Sequence, residues 1–537
     1  MLYLQSESRG EPEGHMSLPL EQALGQQFLL SFTGKKKPSP AMLEAIARQH
    51  VGGVVLFRAK NMGSLADLRR LTAALQKAAK AAGQPPLLIA ADQEGGQLMA
   101  VGEGTPFPGN MALGATRSED LARRVGRALG LECAALGINV DFAPVADVNN
   151  NPANPVVGTR SFGEQARLVS KLGAAMIAGL QSAGVAATAK HFPGHGDTAS
   201  DSHHGAPILP HSMERLRRIE LPPFQAAIRA GVKMIMTAHI ALPSLTEGGN
   251  VPATLSRAIL TGLLRRQLKY DGIIVTDALD MHALDQGPGL AAEAMAAIDA
   301  GADLVLFNHD LSKLENAFPV IVQAARRGFL STSEIQAASR RILVLKAWLA
   351  RKKQPPLSIV GCREHRALAG EVARRSVTLV RDKARLLPLR LPKKARVLVV
   401  VPRPEDLTPA DTSSYLIPSL ASALRRYCPR VDELQVPMNP DASDVRAARE
   451  KASRYDIAVI GTINATAGQA DIVTATVKQG TPTIAVALRM PYDVVAYPSV
   501  ATYLCTYGIL PPSMDALAAA MVGRAPFSGR LPVTLPR

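Results

Sequence analysis

Short apolar runs alternate with segments of helical periodicity along roughly the first 350 residues, and this alternation restricts the chain to a few folds. The apolar runs, each typical of a buried strand, lie at 51–57, 87–91, 138–142, 185–189, 233–237, 272–276 and 303–307. The helical segments lie at 65–82, 119–136, 165–183, 213–230, 257–268 and 290–300. Such alternation builds a parallel sheet, and the number of units favours a (β/α)8 TIM-type barrel over an open sheet. No Gly-x-Gly-x-x-Gly motif opens an early helix, which argues against a dinucleotide-binding fold.

The character of the chain changes near residue 350, where a charged, proline-bearing stretch is typical of a linker. Beyond it, further apolar runs at 397–401, 457–461, 483–488 and 501–505 alternate with helical segments and predict a smaller αβα sandwich domain. The predicted divisions are a terminal segment 1–17, disordered or foreign to the protein, a barrel 18–352, a linker 353–375 and a second domain 376–537. Because the second domain gathers no cluster of titratable residues, its interior is expected to be purely structural.

Composition and charge exclude several classes of protein. Hydrophobic residues make up 47% of the 537 residues and charged residues 20%, a balance that permits sizeable buried cores. The net charge is +16, but the basic residues are scattered and aromatic residues are only 4%, so we expect no nucleic-acid partner. Neither a signal peptide nor a membrane-spanning run is present, which predicts a cytoplasmic protein without a membrane partner. The four cysteines are widely separated and form neither a zinc motif nor a disulfide framework.

The stretch 190–205 concentrates histidine, aspartate and lysine directly after the apolar run 185–189. Its glycine and proline residues argue against a helix, so we expect a loop at the end of a strand. One alternative is a solvated surface turn. A second is a metal site whose ligands would come from His191, His195, Asp197, Asp201, His203 and His204. The spacing of these residues matches neither a helical His-Glu-x-x-His motif nor a Cys/His finger, so no metal is expected.

Polar side chains also follow other predicted strands, at the point where each strand ends. They are Arg58, Asp92, the pair Lys190 and His191, His239 and Asp277. The carboxyl ends of barrel strands meet at one face, where the active sites of this fold lie. We therefore expect these side chains to line one shared pocket.

Retaining glycoside hydrolysis needs a carboxylate nucleophile and a second group that protonates the leaving oxygen. Asp277 ends an apolar strand and is the favoured nucleophile, with Asp280 as its rival. In Asp201-Ser202-His203 the carboxylate is placed to orient the imidazole, whose ordinary pKa of about 6.5 suits proton transfer in both directions. A serine hydrolase is a poorer explanation, because no Gly-x-Ser-x-Gly elbow follows a strand.

Several motifs in this order carry a family resemblance. They are Asp92-Gln93-Glu94-Gly95-Gly96, the segments 149–155 and 158–163, Lys190 to Thr198, Asp201-Ser202-His203 and 275–279. Over roughly 20–350 the chain resembles family 3 glycoside hydrolases, in particular their β-N-acetylhexosaminidase branch. The C-terminal part resembles the αβα sandwich domain of that family more loosely.

The resemblance implies a TIM barrel that removes non-reducing terminal β-linked N-acetylglucosamine through a covalent intermediate on Asp277. It also implies that His203, paired with Asp201, is the acid/base. The sugar hydroxyls would be held by Asp92, Arg160, Lys190 and His191. No metal or organic cofactor is expected, and the partner would be a small carbohydrate, either a cell-wall fragment or a chitooligosaccharide, bound by a monomer or weak homodimer.

Two positions depart from the family pattern. Gln97 stands where the family commonly has arginine, which puts one interaction at the pocket rim in doubt. Ala278 follows the nucleophile where many relatives carry a second aspartate, and we interpret this as subgroup variation. Three alternatives stay open: an N-acetylglucosamine phosphorylase with the same nucleophile, a β-glucosidase or β-xylosidase of the same family, and a sugar-binding protein without activity.

Overall fold

The computed structural model of the chain describes residues 18–536, apart from 200–206, 282–283, 285–288, 309–310 and 393. The predicted terminal segment 1–17 therefore lies outside the described residues. Among the residues described, no helix combines the length and the apolar character that crossing a membrane requires.

Eight parallel strands close into a barrel, which confirms the predicted fold class. In chain order they are β1 Phe28–Ser31, β2 Gly53–Leu56, β3 Leu88–Ala91, β4 Val140–Asp141, β5 Ala186–Phe192, β6 Met234–Thr237, β7 Ile273–Ala278 and β8 Leu304–Phe307. Each strand pairs with its chain neighbours, and β8 closes the barrel on β1 with Phe28 opposite Val305. The analysis of the sequence missed only β1, a run of four fully buried residues that follows a short helix.

Helices cover the outside of the barrel and bury their apolar faces against the strands. They are Leu20–Gly25, Pro40–Gln49, Arg58–Asn61, Leu65–Ala81, Asn110–Thr116, Glu119–Ala135, Ala166–Ser182, Met213–Arg218, Leu221–Arg229, the π-type helix Ala258–Gln267, Leu290–Ala300, Leu311–Arg326 and Thr332–Ala350. The predicted helix 213–230 is two helices. The second helix has prolines in its first turn, where the missing N–H has no helical partner to lose. In the middle of one continuous helix the same prolines would remove hydrogen bonds and clash with the preceding turn.

The second domain is a six-stranded mixed sheet with helices on both faces. Its strands are β9 Thr378–Asp382, β10 Val397–Pro402, β11 Val431–Val436, β12 Ile457–Thr462, β13 Thr483–Ala487 and β14 Thr502–Cys505, in the order β9-β14-β13-β12-β10-β11. Only β9 runs antiparallel to its neighbour. The domain's helices are Leu420–Arg425, Ala442–Ala452, Ala467–Lys478 and Pro511–Met521. The two strands missed from sequence, β9 and β11, are the edge strands, whose partly exposed polar residues break the apolar run.

The predicted linker 353–375 contains a packed helix, Arg363–Ser376, which joins the two domains. The N-terminal end of this helix is held to the barrel by the carboxylate of Glu132, a residue that is 2% exposed. Glu132 accepts hydrogen bonds from the Thr105 and Gly361 amides at 2.8 and 3.0 Å. It also contacts Nδ1 of His365 at 2.8 Å. One buried side chain therefore connects a barrel helix to the chain that leads into the second domain.

We expect Glu132→Ala to lower the free energy of unfolding by about 3 kcal/mol, because the buried donors around it lose their acceptor. Urea denaturation measures the change. The matched control is Glu119→Ala on the same helix, because Glu119 is exposed and pairs with Lys171 at the surface, so its loss should change stability by less than about 0.5 kcal/mol. Equal midpoints for the two variants would contradict the connecting role of Glu132.

Candidate active site

A cavity of about 650 Å³ lies at the carboxyl ends of the barrel strands. Four of the five strand-end positions singled out from sequence line it. The predicted site residues in its wall are Arg58, Asp92, Arg160, Lys190, His191, Asp277 and the rival Asp280. The acid/base candidates Asp201 and His203 lie outside the described residues. The shared pocket expected from the strand ends is therefore present.

His239 is the strand-end residue that does not line the cavity. It is 1% exposed, with its Nδ1 2.8 Å from Oγ1 of Thr254 and its Nε2 2.8 Å from the carbonyl oxygen of Ala278. Neutral imidazole can donate to that carbonyl through Nε2 and accept from the hydroxyl through Nδ1. His239 thus holds the backbone of the residue that follows Asp277, and its contribution is to position the strand end.

Asp277 and Asp280 occupy different environments within the cavity wall. Asp277 is the second-last residue of β7, is partly exposed, and its Oδ1 accepts from the Ala278 amide at 2.8 Å. Asp280 is 8% exposed, and both its carboxylate oxygens lie 3.0 Å from the Asn308 amide. Asp277 therefore presents its carboxylate to the cavity from a rigid strand, whereas Asp280 supports the loop after β8.

Two carboxylates and two cations form a buried network beside Asp277. The guanidinium of Arg160 grips Glu94 through two hydrogen bonds, of 3.0 Å from Nε and 2.8 Å from Nη2. The ammonium of Lys190 lies 2.7 Å from Glu94 and 2.6 Å from Asp92. The side chains of Arg160, Lys190 and Glu94 are at most 3% exposed, whereas that of Asp92 is 22% exposed. Asp92 is therefore the member of the network that is most accessible from the cavity.

Glu94 balances the charge of this network, a role that its place in the sequence motif did not reveal. Burial by itself raises the pKa of Glu94, but the charges of Arg160 and Lys190 outweigh burial and lower it to about 2. For Lys190 the signs are reversed. Burial lowers its pKa, but the carboxylates of Asp92 and Glu94 outweigh burial and raise the pKa. Glu94 and Lys190 are therefore both ionised at neutral pH.

His191 is oriented by Asp147, a residue that the sequence analysis did not identify. Asp147 is fully buried, and its Oδ2 lies 2.7 Å from Nδ1 of His191. Its Oδ1 accepts from the backbone amide of His195 at 2.7 Å. Burial raises the pKa of Asp147, but His191 and the hydrogen bond from the His195 amide outweigh burial and lower this pKa. With Nδ1–H given to Asp147, the Nε2 atom of His191 is left for the cavity. A single aspartate in the loop after β4 gave no periodic or motif signal.

Lys190 and His191 belong to β5 itself, whereas the sequence predicted that the loop begins at Lys190. The strand continues to Phe192, and its pairing with β6 carries a register shift between Ala189 and Phe192. This irregularity lies at the residues that line the cavity, as is common where a strand end re-aims its side chains.

The described residues of the alternative metal-ligand set each have a partner within the protein. His191 contacts Asp147, His195 contacts the Thr198 hydroxyl at 2.7 Å, and Asp197 contacts His211 at 2.8 Å. Burial and the neighbouring His191 lower the pKa of His195 to about 4, so this ring is neutral. Arg215 lies 2.9 Å from Asp197 and 3.4 Å from Glu220, and its guanidinium already supplies the positive charge that a metal would bring to these carboxylates.

A loop of the second domain also lines the cavity, a contribution that the sequence analysis of the domain's interior did not predict. The contributing residues are Asp406, Pro409, Ala410, Asp411, Thr412 and Tyr415. Thr412 donates from its amide and its hydroxyl to the carbonyl of Gln97, both at 2.8 Å. The Gln97 side chain in turn donates to the carbonyl of Ala410 at 3.2 Å. The position that departs from the family pattern thus holds the second domain at the pocket rim.

Comparison with known proteins gives a consistent result. Residues 19–345 match the family described as the N-terminal domain of glycosyl hydrolase family 3. The chain is 32% identical to "Beta-hexosaminidase A" of Pseudoalteromonas piscicida, over 96% of this chain and 97% of that protein. It is 32% identical to "Beta-N-acetylglucosaminidase/beta-glucosidase" of Cellulomonas fimi, over 96% and 93%. A solved family 3 β-N-acetylglucosaminidase from Paenibacillus sp. str. FPU-7 superposes with a TM-score of 0.91 at 37% identity, covering 97% of this chain and 99% of that one.

The pKa of Glu94 predicts how acid affects stability. This pKa is about 2 in the folded protein and 4.5 ordinarily. The stabilisation of the fold by the ionised Glu94 carboxylate is therefore full above pH 4.5 and is lost as the pH falls towards 2. The shift corresponds to about 3 kcal/mol. We expect Glu94→Gln to be less stable than wild type at pH 7 and to lose less stability between pH 5 and pH 2, measured by urea denaturation at each pH. Glu119→Gln, at an exposed position, should follow the wild-type profile. An unchanged acid profile in Glu94→Gln would contradict the role given to this carboxylate.

Proposed function

Because the chain belongs to glycosyl hydrolase family 3 and is a glycoside hydrolase, we propose that it is a retaining exo-β-N-acetylglucosaminidase with Asp277 as its nucleophile. The observation that carries this proposal is the carboxylate of Asp277, which enters the cavity from the end of β7 beside the charged network of Asp92, Lys190 and Arg160. The relatives named as β-hexosaminidases and β-N-acetylglucosaminidases support the choice of sugar.

In the first step a carboxylate oxygen of Asp277 attacks the anomeric carbon while the bond to the leaving oxygen breaks and that oxygen takes a proton. In the second step water attacks the same carbon, gives up a proton and releases Asp277. The rigid strand and the His239 contact to the Ala278 carbonyl fix the position of the nucleophile. This preorganisation lowers the cost of reaching the reacting geometry.

We assign the proton transfers to His203, oriented by Asp201, on the strength of the sequence motif alone. A histidine needs no burial to titrate near neutral pH, which suits a group that must act first as acid and then as base. We further propose that Asp92 and His191 contact sugar hydroxyls directly, while Arg160 and Lys190 both reach the sugar and hold Asp92 and Glu94 in place. The substrates we propose are cell-wall fragments and chitooligosaccharides with a non-reducing terminal N-acetylglucosamine.

The nucleophile is tested by removing its carboxylate and supplying an external anion. We expect Asp277→Ala to lower kcat for 4-nitrophenyl β-N-acetylglucosaminide by at least about 10³-fold, because the covalent route is lost. Azide should restore turnover and give the α-glycosyl azide, since it attacks from the side that the carboxylate occupied. Asp280→Ala is the matched control and should show neither azide rescue nor an azide product. Rescue in Asp280→Ala but not in Asp277→Ala would identify Asp280 as the nucleophile and would contradict the role proposed for Asp277.

The fate of the glycosyl-enzyme separates hydrolysis from phosphorolysis. A neutral histidine does not repel phosphate as a carboxylate would, so a phosphate oxygen could replace water at the anomeric carbon and yield sugar 1-phosphate. We expect free N-acetylglucosamine as the main product in phosphate as well as in a non-phosphate buffer, measured by chromatography of the products. A phosphate-dependent N-acetylglucosamine 1-phosphate would make the enzyme a phosphorylase.

The same assays test the choice of sugar. Faster turnover of the β-glucoside or β-xyloside would assign a different sugar, and binding without turnover would indicate a sugar-binding protein without activity.

A further inference from the structure

One buried side chain of the barrel, Asn154, connects two segments that both reach the wall of the cavity. Asn154 is 6% exposed and belongs to the motif 149–155, to which the site described above gives no role. Val156 and Arg160 line the cavity from the segment on one side of Asn154, and His195 lines it from the segment on the other side. Asn154 itself is not among the lining residues. Its contribution is therefore to hold residues that are.

The carbonyl half of the Asn154 amide holds the segment that carries Arg160. Its Oδ1 accepts from the backbone amides of Val156 and Val157, at 3.0 and 2.7 Å. The carbonyl of Val157 in turn accepts from the Arg160 amide at 2.8 Å. The Val156 carbonyl accepts from Nη1 of Arg160 at 3.4 Å. This half of the amide thus shapes the turn from which Arg160 enters the charged network.

The amino half of the same amide holds the segment that follows His191. Its Nδ2 lies 2.9 Å from the carbonyl oxygen of His195, 3.2 Å from that of Gly196 and 3.2 Å from Oγ1 of Thr198. Two N–H groups are therefore shared among three acceptors. Gly196 also packs so closely on Val148 that an added Cβ would come within 1.9 Å of the Val148 carbonyl oxygen. This stretch of backbone is fixed by a side chain on one side and by close packing on the other.

We propose that Asn154 is a positioning residue for proton transfer, whose amide anchors the segment 195–198 from which the chain runs on to Asp201 and His203. This inference rests on the proposed function and extends it. Asp201 and His203 follow Thr198 by three and five residues, so the anchor fixes the point from which the proposed acid/base starts. A proton donor must lie within about 2.6–3.2 Å of the leaving oxygen, and a small displacement of such a group lowers the rate steeply.

An isosteric substitution removes one half of the amide and keeps the other. Asn154→Asp keeps the oxygen that accepts from Val156 and Val157, but it replaces the amino group with an oxygen that faces the carbonyls of His195 and Gly196. The segment 195–198 is thereby released while the Arg160 side of the contact is kept.

Two substrates that differ in their need for a proton report the effect. The dinitrophenolate of 2,4-dinitrophenyl β-N-acetylglucosaminide leaves with little protonation, whereas the sugar that leaves from N,N′-diacetylchitobiose must be protonated. We expect Asn154→Asp to lower kcat/KM for the disaccharide by at least about tenfold and for the aryl glycoside by less than about twofold. Loss of folded enzyme would lower both values equally, so the difference between the substrates isolates positioning.

The same motif supplies the matched control. Asn151 is partly exposed, and its Nδ2 lies 3.5 Å from the Asp197 carbonyl, at the limit of a hydrogen bond. Asn151→Asp should therefore change neither kcat/KM value by more than about twofold. Thr198→Val removes the side-chain acceptor at the far end of the contact, and it tests the same role if Asn154→Asp does not fold. We expect it to lower kcat/KM for the disaccharide selectively, by about threefold.

His203→Ala provides the reference, because loss of the proposed acid should lower kcat/KM for the disaccharide far more than for the aryl glycoside. Equal losses on the two substrates in Asn154→Asp, or no loss on either, overturn the inference. If wild type hydrolyses both substrates and only His203→Ala shows the selective loss, the positioning role of Asn154 is wrong and the proposed function stands. If wild type hydrolyses neither substrate, the proposed function fails and the positioning role fails with it.

Discussion

The burial of Glu94 between two cations is the interaction on which the rest of the site depends. An unpaired lysine or arginine at 2–3% side-chain exposure carries a large desolvation penalty. The carboxylate of Glu94 offsets this penalty for both Arg160 and Lys190. The arrangement fixes the direction of both cations without relying on solvent. It also leaves Asp92, which shares Lys190 with Glu94, partly exposed at the surface of the cavity. The charged wall of the cavity is therefore held in place by contacts within the protein itself.

The barrel lowers the conformational entropy cost of forming this network. Asp92 and Lys190 are 98 residues apart in sequence, yet each stands at the end of a short buried strand whose backbone the sheet already fixes. The same logic applies to Asp277 at the end of β7 and to Asp147, which orients His191 from the loop after β4. Because the sheet already fixes the backbone of these strands, each polar side chain adds only the entropy cost of fixing its own rotamer.

The sequence predicts the fold better than it predicts how the site is connected. The barrel strands are runs of apolar residues, so periodicity finds seven of the eight, and strand ends direct attention to Asp92, Lys190 and Asp277. Periodicity does not find the partners that hold these groups, since Glu94 and Asp147 are single carboxylates whose importance lies in contacts across the barrel. His239 shows the converse limit. It occupies a strand end like the others, but its side chain turns to Thr254 and the Ala278 carbonyl.

The second domain meets the barrel with the carboxyl ends of its parallel strands. The loop after β10 lines the cavity, and Arg489, just after β13, holds that loop through Asp411. Strand order reverses beside β10, and in open α/β sheets ligands bind at the carboxyl edge next to such a reversal. Here that edge faces the substrate cavity of the barrel. Composition could not reveal this, because the loop carries no dense cluster of titratable residues and reaches the cavity only through the direction that the sheet gives it. Gln97 fits the same scheme, since an amide can donate to Ala410 and accept from Thr159 at once, whereas the arginine common in the family can only donate.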